Sequence, residues 1–72
     1  MNRYAIIVFW SEEDGAWVAD IPDLESCSAF GGTPEEAVAE VQVAMEAWLA
    51  AARDAGLAIP VPRFQPQHEA AE

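Results

Sequence analysis

The sequence is poor in the residues that staple small proteins together and in those that perform most chemistry. It has one cysteine, Cys27, so no disulfide can form within the chain. Its one histidine, His68, lies near the C-terminal end, and no Cys/His cluster offers a structural metal site. Basic residues are almost missing: Arg3, Arg53 and Arg63 stand against 13 acids, for a formal net charge of −10. That balance argues against direct contact with nucleic acid or an anionic membrane, because phosphates need a positive surface. It favours solubility and rapid encounter with a basic partner. Long apolar runs are missing too. Tyr4–Trp10 is too short to span a bilayer and lacks the small-residue cleavage pattern of a secretory leader. With a lone cysteine, the cytoplasm is the expected compartment.

What is present is apolar material in a small chain. At 72 residues there is room for one domain, and 53% of the residues are hydrophobic, three of them tryptophan. A chain this short buries only about 60% of its unfolded surface, so a lone monomer is marginal and oligomerisation is a natural remedy.

Residues 3–10 are rich in β-branched and aromatic side chains and predict a strand. Both of its faces are apolar: Tyr4, Ile6, Val8 and Trp10 on one, Ala5, Ile7 and Phe9 on the other. A half-exposed strand alternates with polar residues, so this one expects cover on two sides. Asp14-Gly15 predicts a hairpin turn, and Ala16–Ile21 the returning strand, with Trp10 and Trp17 placed to pair across it. Pro22 ends the ladder, since it has no N–H, and Asp23 suits closing the turn through nearby backbone amides. Glu25–Phe30 predicts a third, weaker strand diluted by Ser26 and Ser28. Gly31 and Gly32 permit a sharp reversal.

A strong helix start follows. Thr33 suits the N-cap, Pro34 the first helical position, and Glu36 completes a capping box. From Pro34 to Ala55 the residues Val38, Val41, Met45, Trp48, Leu49 and Ala52 form one apolar stripe, and Gly56 suits the C′ position. Such a helix is about 33 Å long. Its outer side carries Val43, Ala47 and Ala50, more apolar than solvation requires. Ala58–Pro62 predicts a short edge strand, restricted to an edge by its prolines. Gln65–Glu72 predicts a flexible polar tail. The expected architecture is α+β: a three-stranded antiparallel meander, one long helix and a short edge strand, in the order β-β-β-α-β. It occupies residues 1–64 as one domain, with the tail over 65–72.

The candidate chemistry is thin. His68 falls in the tail, without the fixed partner that a general base needs. Cys27 has no histidine beside it in a structured element and suits a small buried hydrophobe. Asp20, Asp23 and Glu25 are clustered carboxylates with the oxygen chemistry for Mg²⁺. They come from one turn, however, whereas two-metal hydrolysis needs carboxylates converging from several elements. No enzyme activity, metal or cofactor is expected. Trp48 belongs to the helix's core stripe, while Trp10 suits either a cross-strand pair or an interface anchor.

Tyr4, Asp14-Gly15, the run Ala19-Asp-Ile-Pro22-Asp23-Leu24-Glu-Ser-Cys27, then Gly31-Gly32-Thr33-Pro34-Glu35-Glu36-Ala37, Trp48-Leu49 and Ile59-Pro-Val-Pro62 together resemble the HicB-like antitoxin family in order and spacing. The resemblance covers about residues 4 to 62. It departs at Trp17, where a tyrosine is usual, and at Ser26, which replaces the glycine before Cys27. It implies a partial RNase H fold and an antitoxin that binds and silences a small basic HicA-like toxin, an mRNA-cleaving ribonuclease. Many members of the family add a DNA-binding segment, which this sequence is not expected to have. The apolar face of Tyr4, Ile6, Val8 and Trp10, with Val43 and Ala47 on the helix, is the expected surface for a toxin or for a homodimer or tetramer. The alternative is a free-standing oligomeric scaffold or small-ligand-binding module without a toxin.

Overall fold

A computed structural model describes residues 3–64. Three strands, β1 (Ile7–Ser11), β2 (Ala16–Asp20) and β3 (Ser28–Gly31), precede one helix, α1 (Pro34–Asp54). The strands form an antiparallel sheet in the order β1-β2-β3, and the helix lies across one face of it. The fold is α+β. The edge strand expected at Ala58–Pro62 does not form, and residues 57–64 contain no regular element.

The strands are shorter than the residue pattern predicts, and the turns explain why. Asp20 opposite Ile7 is the last pair between β1 and β2. Pro22 follows and has no N–H to extend the ladder, so Tyr4–Ile6 lead into the sheet unpaired. Between β2 and β3 the chain makes two successive turns: Leu24 N–H donates to Ile21 C=O at 3.0 Å and Cys27 N–H to Leu24 C=O at 3.2 Å. The second turn consumes Glu25 and Ser26, which delays β3 to Ser28. Gly15, at φ 61°, closes the β1–β2 loop by donating its N–H to Ser11 C=O at 2.8 Å.

The helix begins at the expected cap. Thr33 Oγ1 accepts from Glu36 N–H at 3.1 Å. Glu36 Oε1 reaches back one residue beyond the usual box, to the N–H of Gly32 at 2.9 Å. At the other end Leu57 N–H donates to Ala52 C=O and Gly56 N–H to Arg53 C=O, with Gly56 at φ 76°, a Schellman motif.

Gly31 works by closeness and not by a left-handed turn. A Cβ on Gly31 would lie 2.4 Å from the backbone nitrogen of Ala37, so β3 reaches the helix N-terminus only without a side chain there. Ala37, at 0% exposure, is part of the core although it lies outside the expected stripe. The core is Ala19, Ile21, Leu24, Cys27, Ala37, Val41 and Leu49, with Met45 and Trp48 packed against it. Trp48 is half-buried, and its indole N–H donates to Glu25 C=O at 2.9 Å, tying the helix to the turn before β3.

Candidate functional site

Pairing register decides which side of the first strand is open. Val8 lies opposite Ala19 and Ala29, and Trp10 opposite Trp17 and Gly31. Ala19 is at 0% exposure in the core, so this row faces the helix. Tyr4, Ile6 and Val8 accordingly pack half-buried against the core, and the apolar face they were expected to offer a partner is the covered one. Trp10 remains exposed at the end of that row, its ring edge-on to Trp17 with centroids 5.6 Å apart, and its Nε1 donates to Glu12 Oε2 at 3.2 Å.

The opposite face carries the row Phe9–Val18–Phe30 across all three strands, with Ile7, Asp20 and Ser28 in the next row. Nothing among the described residues covers it. Phe9 is 46% exposed and Phe30 53%, while Val18, on the central strand between them, is buried. Asp20 is the one charged side chain in these two rows, and its Oδ1 accepts from Ser28 Oγ at 2.6 Å. The residue pattern shows this face as apolar too, but the alternation of β1 alone cannot say which side meets the helix.

The carboxylates do not converge. Asp20 projects on the open sheet face with Ser28, while Asp23 Oδ2 accepts from the backbone N–H groups of Arg63 and Phe64 at 3.0 Å each. Asp23 was expected to close its own turn, and instead it anchors a segment 40 residues away. The Tyr4 hydroxyl donates to Pro60 C=O, so the same segment is tied at two points. Among the described residues no group of three or more His, Cys, Asp or Glu is placed to hold a metal ion. Cys27 is buried, and burial first, then the charge of Asp20, pushes its thiol pKa up. That state is unreactive. His68 lies outside the described residues, as does the expected tail.

Asp14 bonds the Ser11 hydroxyl at 2.9 Å beside Gly15, whereas Leu24 is fully buried under the turn that Pro22 begins. On the helix, Val43 is 66% exposed and Ala47 is exposed beside it. No described helix is long and apolar enough to cross a membrane.

The chain is acidic, and among the described residues one apolar face of the sheet is uncovered. Residues 4–71 match the HicB-like antitoxin of bacterial toxin-antitoxin systems, and the chain belongs to that family. Among curated proteins and solved structures nothing matches it significantly.

Proposed function

We propose that this chain neutralises a small basic HicA-like toxin, an mRNA-cleaving ribonuclease, by protein–protein contact in the cytoplasm. The family match over residues 4–71 carries this reading. The net charge of −10 supports it, because an acidic surface complements a protein that binds RNA and competes with RNA for it. The β-β-β-α order suits a partial RNase H fold whose carboxylates have structural work in place of catalysis: Asp23 holds backbone amides and Asp20 holds Ser28.

The protein acts as a homodimer or as a tetramer of dimers. A domain with exposed apolar residues on both its sheet and its helix is better stabilised when one of those surfaces is shared between copies. Val43 and Ala47 allow close approach of a second helix, which leaves the sheet face for the toxin.

The reading is tested by looking in the neighbouring gene for a short basic protein and co-expressing that protein with this chain. Growth arrest and mRNA cleavage by that protein alone, both relieved by this chain, are the expected result. A chain that self-associates yet neither binds nor relieves the toxin would be an oligomeric scaffold instead.

A further inference from the structure

We propose that the open sheet face is the toxin-docking surface, and that it receives an arginine of the basic partner between the two phenylalanines and Asp20. This rests on the antitoxin reading and adds to it a place and a recognition chemistry. The face combines two features that single out that occupant. Phe9 and Phe30 are each about half exposed on either side of Val18, and aromatic faces attract a guanidinium. Two residues along β2 from Val18, in the next row of the same face, stands Asp20. Its Oδ1 is held by Ser28 at 2.6 Å, which fixes the carboxylate and leaves the second oxygen to accept from outside. An arginine can lay its apolar stem and planar head on the rings while its N–H groups donate to the carboxylate, an arrangement a lysine matches poorly.

Charge decides between a basic partner and a second copy on this face. Two copies meeting here would set paired Asp20 carboxylates against each other within an apolar contact, with no base on the face to offset them. A basic partner turns the same charge into attraction and faster encounter. An exposed apolar row marked by one fixed acid and no base therefore fits a cationic protein.

The test uses the full chain and a purified basic HicA-like toxin, with affinity measured by calorimetry and folding by circular dichroism. Phe9→Ser and Phe30→Ser lie on edge strands and are half-exposed, so they are expected to stay folded and to lose about 30-fold or more in affinity. Asp20→Asn is expected to lose about tenfold and to flatten the salt dependence. Leu57→Ser, which removes an equally exposed apolar side chain past the end of the helix, is expected to bind as the wild type does. Wild-type binding that both phenylalanine variants retain would overturn the docking surface and leave the antitoxin role standing. Loss of self-association in Phe30→Ser with unchanged toxin binding would assign the face to a second copy, and so also overturn it. Failure of the wild type to bind at all would remove the antitoxin reading itself.

Discussion

Ser26 has a φ of 60° at the third position of the turn from Leu24 to Cys27, where a left-handed residue is required. Glycine adopts that conformation freely, whereas a Cβ costs about 1–2 kcal/mol. The HicB-like pattern has glycine here, and this chain carries the strain in its place. Ser26→Gly should raise stability by about 1 kcal/mol, visible as a higher denaturant midpoint with an unchanged slope. Thr33→Ala removes the acceptor for Glu36 N–H and should cost about 1 kcal/mol by the same measurement. Cys27 gives a pH-dependent signature. Its folded pKa is raised above the ordinary 9.0, so the buried neutral thiol contributes stability that is whole below that value. Stability should decline as the pH climbs through the folded pKa, and alkylation at neutral pH should proceed only as fast as the protein opens.

Three hydrogen bonds from residues distant in sequence meet on the chain between β2 and β3. Trp48 on the helix donates to Glu25 C=O, and Asp23 accepts two amides from the segment after the helix. Truncating Trp48 removes both its packing against the core and that hydrogen bond. Trp48→Ala should cost about 3 kcal/mol, a large share of what a domain this small has. Asp23→Ala should act differently, freeing residues 61–64 beyond the Tyr4–Pro60 tie while sheet and helix stay folded. Limited proteolysis is the measurement: cleavage near Arg63 should accelerate with little change in the thermal midpoint. If the midpoint falls with it, that segment is part of the cooperative unit.

At the scale of the molecule, the chain is acidic and, among the described residues, Phe9 and Phe30 on one face of the sheet stay exposed. The protein should leave labelled RNA intact in Mg²⁺ or Mn²⁺, with Asp20→Asn and Asp23→Asn behaving as the wild type. Metal-dependent cleavage lost in either variant would revive a nuclease role. Light scattering at micromolar concentration should report two or more times the chain mass of 7.8 kDa. A mass near that of one chain would mean that neither the sheet face nor the Val43–Ala47 side of the helix is shared between copies.

The sequence by itself determined the elements whose causes are local. Thr33, Pro34 and Glu36 start the helix, Gly56 ends it, Asp14-Gly15 turns the first hairpin, and Trp10 meets Trp17, because each depends on neighbours a few residues away or directly across a hairpin. The family, too, was legible in the order of those pieces. The tertiary structure alone decided which apolar side of β1 is covered, since both sides look alike until Val8 is paired with Ala19 and Ala19 with the helix. It also decided that Asp23 binds Arg63 and Phe64 in preference to its own turn, and that Ala58–Pro62 forms no strand. Gly31 serves close packing against the backbone of Ala37 for the same reason. Each of these depends on groups distant in sequence, and no local periodicity encodes which distant partner arrives.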